Sequence, residues 1–183
     1  MTLKQSEESR HDNKTGFSVR LYQQRKNNCW KGTGQTAWRF LFDTDELLAR
    51  QAGQTPQQIF VEKGEAYFRD LEHEIARQTA AYPPCVISTG GGMLISERNG
   101  KLLSEAGTII YLNRPFEACY RSLMQNPDRP LIKNNTREEL RERYEKRAVS
   151  YQTYADFTVK NDRTPQLTAQ RIVEFLKTKR TAN

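Results

Sequence analysis

The chain has 183 residues, a length that suits one compact domain with its own hydrophobic core. It carries 29 Lys and Arg against 22 Asp and Glu, and the net charge of +7 favours anionic partners such as nucleotides or acidic metabolites. The first 39 residues hold eight basic and three acidic residues, a pattern typical of a solvated tail rather than of a nucleic-acid site. No apolar run suits a signal peptide or a membrane span, and the three cysteines lack metal-binding spacing. We therefore expect a cytoplasmic protein with buried, reduced thiols.

Predicted strands and helices alternate along most of the chain. Residues 1–16 are polar without periodicity and are expected to form a disordered leader. Thr55-Pro56 is a helix start, and a capping box begins another helix at Thr136. The predicted elements are a helix over 57–80 with a break at Gly64, a strand over 85–89, a helix over 96–106, a strand over 108–112, a helix over 115–124, a mobile loop over 125–135, a helix over 136–151, an edge strand over 155–159 and a helix over 165–177. This alternation predicts an α/β fold of three layers, in which helices flank a parallel sheet.

Two acidic residues mark a first candidate site. Asp43 and Asp45 would point the same way if they ended a strand, because side chains alternate along a strand. Two such carboxylates can hold a metal ion and accept a hydroxyl proton. The alternative is that Asp43-Thr44-Asp45 caps the helix that follows.

An arginine and three glycines form further candidates. Arg69 has Glu72 three residues later in the same predicted helix, so the carboxylate can orient the guanidinium; the alternative is a surface ion pair. Gly90, Gly91 and Gly92 follow a buried strand, where they either let a ligand approach the backbone or form a plain tight turn.

Two more arginines carry chemistry if they face a ligand. Arg129 lies in the proline-bounded loop over 125–135, which could close over a transferring phosphoryl group. Arg147 is near the end of a highly charged helix, where a solvated face is the alternative.

Together these segments resemble the shikimate kinase family of P-loop kinases. The resemblance covers residues 42 to about 177, and its motifs stand in the family's order and near its spacing. They are Phe42-Asp43-Thr44-Asp45, Gly64-Glu65-Ala66-Tyr67-Phe68-Arg69-Asp70-Leu71-Glu72, Ile87-Ser88-Thr89-Gly90-Gly91-Gly92, Arg129-Pro130-Leu131-Ile132 and Lys146-Arg147-Ala148-Val149-Ser150-Tyr151. No single motif is decisive, but five in order are highly specific.

The resemblance implies a substrate half built from four residues. Asp45 would take the ring hydroxyls of shikimate and would orient or deprotonate the attacking hydroxyl. Arg69 and Arg147 would take the carboxylate, and Gly91 would complete the site. A planar guanidinium suits a carboxylate, so the chemistry of the residues agrees with these roles.

The resemblance also implies a nucleotide half that binds ATP and Mg²⁺. Asp43 would lie near the Mg²⁺ ion, directly or through water. Arg129 would belong to the lid and contact the ATP phosphates as a catalytic group, and Arg163 would lie against adenine. The expected activity is transfer of the ATP γ-phosphoryl group to the 3-hydroxyl of shikimate, by a monomer without a nucleic-acid or membrane partner.

The phosphate-binding loop of such a kinase is missing. It needs G-x-x-x-x-G-K-[ST], in which backbone amides and a lysine hold phosphates and the hydroxyl holds Mg²⁺. Residues 32–36 read Gly-Thr-Gly-Gln-Thr, with glutamine for lysine, and stand only seven residues before Asp43. The genetic code allows codons for residues 20–38 that, when read one base later, encode G-x-x-x-x-G-K-T-T-V-G-K-A-L-A. Two explanations for the missing loop are therefore open: a shifted reading frame over residues 16–38, in the gene or in its recorded sequence, and true divergence of the segment.

The sequence leaves three functions open. The gene encodes a shikimate kinase, or the chain binds shikimate without turnover, or it phosphorylates another small polyol or acid. We expect one kinase-like domain over 17–183, in which residues 17–38 are aberrant and lack the pattern of a buried strand or a helix.

Overall fold

A five-stranded sheet organises the part of the chain that the structure describes. The computed structural model describes residues 19–22, 41–83, 85–125, 130–162 and 164–181. The strands are β1 (Val19–Tyr22), β2 (Leu41–Asp43), β3 (Val86–Thr89), β4 (Thr108–Asn113) and β5 (Phe157–Lys160). Their order across the sheet is β2-β3-β1-β4-β5, so β5 is an edge strand, as predicted.

The sheet is parallel at its two sides and antiparallel at its centre. β2 pairs with β3 in parallel, with Asp43 beside Ser88, and β4 pairs with β5 in parallel. β1 runs antiparallel to both β3 and β4. The α/β class is confirmed, and Val19–Tyr22 forms a strand within the segment 17–38, where the sequence showed no pattern of a buried strand. Every residue offers a backbone donor and acceptor, so a short segment can satisfy the strands on both sides without an alternating apolar pattern.

Helices follow the strands closely in sequence. They are α1 (Thr44–Ala52), α2 (Pro56–Ala80), α3 (Glu97–Ala106), α4 (Phe116–Leu123), α5 (Pro130–Lys133), α6 (Arg137–Tyr154) and α7 (Pro165–Thr181). Capping boxes at Thr55 and Thr136 begin α2 and α6 as predicted. Gly64 interrupts α2 with φ of 81°, which confirms the predicted break. The predicted loop over 125–135 contains α5, whereas residues 126–129 lie outside the described residues.

Apolar side chains bury both faces of the sheet. On β4, Ile109 and Tyr111 belong to a core shared with α1, α2, α3 and α6, while Ile110 and Leu112 pack with Val159 and α7 on the other face. Successive apolar side chains of β4 therefore face opposite sides of the sheet, as expected for a strand that is covered on both sides. Cys85 and Cys119 are buried and form no disulfide in the described part of the chain, and Cys29 lies outside the described residues.

Candidate active site

The junction between β2 and α1 places two acidic residues. Asp43 is the last residue of β2 and caps α1, since its Oδ1 accepts a hydrogen bond from the Asp45 amide at 2.9 Å. Asp45 lies in the first turn of α1, so the two carboxylates do not both end a strand, and the helix-cap alternative describes Asp43. The intervening Thr44 is buried, and its Oγ1 accepts from the Gly90 amide at 3.1 Å. This bond joins the β2–α1 junction to the glycines after β3.

Asp45 is a carboxylate in an unfavourable environment for its charge. Burial, and after it the negative charges of Asp43 and Glu72, raise its pKa to about 6. A Cβ added at Gly90 would lie 2.6 Å from Asp45 Oδ1, which leaves no room for a side chain. Gly90 is therefore required for Asp45 to pack against the turn formed by residues 90–92, hereafter the triple-glycine turn.

Arg69 is held on the other side of this turn by two glutamates of α2. Its Nη1 donates to Glu72 Oε2 at 2.6 Å, and its Nη2 donates to Glu65 Oε1 at 3.1 Å. Glu72 is only 4% exposed, so its carboxylate orients the guanidinium from inside the protein. A Cβ at Gly92 would lie 2.6 Å from Arg69 Nη1, so the guanidinium lies directly against the turn. The surface ion-pair alternative does not describe this geometry.

Two residues of α6 complete the cluster. Arg147 is half-buried; burial lowers its pKa, and nearby Arg143 and Arg69 lower it further, while Tyr151 and Glu72 oppose this. Burial raises the pKa of Glu72, against the effect of Arg69 and Arg147. Tyr151, one helical turn after Arg147, is fully buried and donates its hydroxyl hydrogen to the Gly91 carbonyl. The cluster thus places two guanidinium groups near one buried carboxylate, beside the half-buried backbone of the triple-glycine turn.

The structure brings together five of the seven residues that the sequence singled out. Gly91 is the middle residue of the triple-glycine turn, and Asp45 and Arg69 lie against that turn. Asp43 contacts Asp45, and Arg147 lies near Arg69, while Arg129 and Arg163 lie outside the described residues.

Sequence reasoning missed the roles of two site residues. It gave no role to Thr44, and it quoted Tyr151 without one. The spacing of Tyr151 four residues after Arg147 was the available signal, because residues at that spacing share a helix face.

Metal and membrane features are limited in the described part of the chain. There, no three acidic, histidine or cysteine side chains form a set that could hold a metal ion. Asp43 uses one carboxylate oxygen for the Asp45 amide, and its other oxygen would suit a Mg²⁺ ion, which commonly binds proteins through only one or two carboxylates. Within the described ranges, no helix has the length and apolarity needed to cross a membrane.

Known proteins resemble this chain over most of its length. A relative from Dictyoglomus turgidum named "Shikimate kinase" is 39% identical over 124 residues, covering 66% of this chain and 72% of the relative. Another with the same name, from Desulforudis audaxviator, is 35% identical over 156 residues, covering 80% and 82%.

Solved structures agree with these relatives. The shikimate kinase of Acinetobacter baumannii in complex with shikimate is similar with a TM-score of 0.70 and 26% identity, over 77% of this chain and 80% of that one. The shikimate kinase of Aquifex aeolicus is similar with a TM-score of 0.69 and 31% identity, over 78% and 84%. The sequence model of the family described as "Shikimate kinase" matches residues 31–177. The chain therefore belongs to the shikimate kinase family of small-molecule kinases, which have the P-loop kinase fold.

Proposed function

We propose that the triple-glycine turn and its neighbours form the shikimate-binding half of the family's active site. Arg69 and Arg147 take the carboxylate of shikimate, Gly91 offers its backbone, and Asp45 faces the ring hydroxyls. The strongest support is the pair of guanidinium groups beside the turn, those of Arg69 and Arg147. Glu72 orients the Arg69 guanidinium, whose Nη1 donates to Glu72 Oε2 at 2.6 Å. Glu72 is buried and offsets one guanidinium charge, whereas Glu65 is exposed and its pair with Arg69 is screened by water. The two guanidinium groups therefore keep positive charge for an anionic ligand.

Asp45 has the properties of a group that receives a proton from the attacking hydroxyl. Its pKa of about 6 makes it ionised at neutral pH and more basic than an ordinary carboxylate. The reaction transfers the ATP γ-phosphoryl group to the 3-hydroxyl of shikimate and releases ADP. Such a transfer depends mainly on in-line positioning and charge stabilisation.

The nucleotide half of the site completes the proposal. Asp43 would hold Mg²⁺, which neutralises charge on the ATP phosphates, while Arg129 would contact the phosphates and Arg163 the adenine. We also propose a monomer in the cytoplasm, where the buried thiols of Cys85 and Cys119 stay reduced.

Calorimetric titration with shikimate and with its methyl ester tests the substrate half. The ester lacks the charge that the two guanidinium groups take, so we expect it to bind at least about tenfold more weakly, consistent with loss of charge-assisted hydrogen bonds. Equal affinity for the two ligands, or no binding of either, would refute the proposed carboxylate site.

A phosphorylation assay with ATP, Mg²⁺ and shikimate tests the nucleotide half. Residues 16–38 contain glycines, lysines and hydroxyls but not in the G-x-x-x-x-G-K-[ST] order of a phosphate loop, so the chain with this sequence should turn over slowly or not at all. Shikimate binding without turnover is the alternative that this segment favours. Sequencing the DNA for residues 16–40 distinguishes a shifted frame from true divergence.

A further inference from the structure

The hydrogen bonds of the triple-glycine turn leave specific groups for a ligand. The Gly90 amide donates to Thr44, and the Gly90 carbonyl accepts from the Met93 amide at 3.3 Å. The Gly92 carbonyl accepts from the Ile95 amide at 3.1 Å, and the Gly91 carbonyl accepts from Tyr151. Among the described residues, no hydrogen bond uses the amides of Gly91 and Gly92, which are both half-buried. An anion can therefore accept from these amides.

The hydroxyl of Tyr151 determines where one of these amides points. A trans peptide is planar, and its carbonyl and amide hydrogen point in opposite directions. Fixing the Gly91 carbonyl toward the Tyr151 hydroxyl therefore aims the Gly92 amide hydrogen away from that hydroxyl. The Arg69 guanidinium lies against Gly92, so it is close to the residue whose amide this hydrogen bond orients.

Tyr151 is itself rigidly held. Its side chain is fully buried, and its ring packs against that of Tyr111 with centroids 5.2 Å apart. Arg147 is four residues earlier in α6, on the same helix face. The Tyr151 hydrogen bond therefore also fixes the distance between the helix that carries Arg147 and the triple-glycine turn.

We infer that Tyr151 is a positioning residue for carboxylate recognition, because its hydroxyl aligns the Gly91–Gly92 peptide and Arg147 around one anion. This inference rests on the proposed function. Tyr151 makes no contact with the ligand in this arrangement; it acts through the turn and through its own helix.

Tyr151→Phe is the informative variant, and Tyr111→Phe is its matched control. Phenylalanine keeps the ring packing of Tyr151 and removes only the donor to Gly91. Tyr111 is equally buried, but its hydroxyl has no hydrogen-bond partner in the described structure. Tyr111→Phe therefore also removes one buried phenolic oxygen, but it leaves the hydrogen bonds of the triple-glycine turn unchanged.

The test uses calorimetric titration of the full chain with shikimate and with methyl shikimate. We expect Tyr151→Phe to weaken shikimate binding about 3- to 10-fold, the range for loss of one hydrogen bond, and to change methyl shikimate binding much less. The preference for the carboxylate therefore falls, which a general loss of stability would not produce. Tyr111→Phe should keep both affinities.

Two results would overturn the inference. One is an unchanged preference for shikimate over its ester in Tyr151→Phe. The other is an unchanged position of the Gly91 and Gly92 amide resonances in the ligand-free variant, since a lost carbonyl partner must alter that peptide. If the original chain binds neither ligand, the proposed function fails, whereas the amide resonances still decide whether Tyr151 aligns the turn.

Discussion

Removing the Arg69 guanidinium should destabilise the protein through the carboxylate it leaves behind. In Arg69→Ala, Glu72 loses its partner at 2.6 Å while it stays buried with 4% exposure. Breaking a fully buried pair costs about 3–5 kcal/mol. The Arg69 side chain is 27% exposed, so water screens the pair and the expected loss is about 2–3 kcal/mol of unfolding free energy.

This loss should depend on pH in a direction that the pKa of Glu72 determines. Burial already raises that pKa above its ordinary value of 4.5, and removing Arg69 raises it further. A carboxyl with a raised pKa in the folded state binds its proton more tightly there. The destabilisation caused by the unpaired Glu72 charge is therefore absent below about pH 4.5, and it grows as pH rises through the pKa of Glu72 in the folded state. The variant should lose more stability at pH 7.5 than at pH 5.

Urea unfolding of four proteins at both pH values measures the effect. The proteins are the original chain, Arg69→Ala, Glu72→Gln and the double variant. The double variant should recover much of the stability at pH 7.5, because a neutral amide is less costly to bury than an unpaired carboxylate. Equal losses at both pH values, or a double variant as unstable as Arg69→Ala at pH 7.5, would refute the reasoning.

Further predictions concern ligand binding, the glycine turn, the helix break and turnover. Arg69→Lys should bind shikimate about 1.5–3 kcal/mol more weakly by calorimetry, because a point charge cannot form the bidentate pair. Thr44→Val should cost about 1–2 kcal/mol in unfolding free energy and speed exchange of the Gly90 amide, which loses its acceptor at 3.1 Å. Gly64→Ala should cost about 1 kcal/mol in thermal unfolding, since φ is 81° although space for the methyl group is open. Restoring the alternative frame over residues 16–38 should recover ATP-dependent shikimate phosphorylation; an inactive restored enzyme would count against the frame shift.

Local sequence determined much of the fold before any tertiary contact is considered. The capping boxes at Thr55 and Thr136 begin their helices, and Gly64 interrupts α2, because these effects act over three or four residues. The buried strands at 86–89 and 108–113 also follow from short apolar runs. The family motifs then indicated which of these elements carry the site.

Only the tertiary structure decided how the site residues meet. The bonds from Thr44 to Gly90 and from Tyr151 to Gly91 join residues 46 and 60 positions apart, a separation at which local pattern carries no information. Glu72 is buried because α2 packs against the triple-glycine turn. An (i, i+3) ion pair that would otherwise be exposed therefore holds the Arg69 guanidinium in a fixed orientation. The antiparallel direction of β1 likewise depends on its neighbours, because β3 and β4 supply backbone partners on both sides and backbone hydrogen bonds accept a strand of either direction.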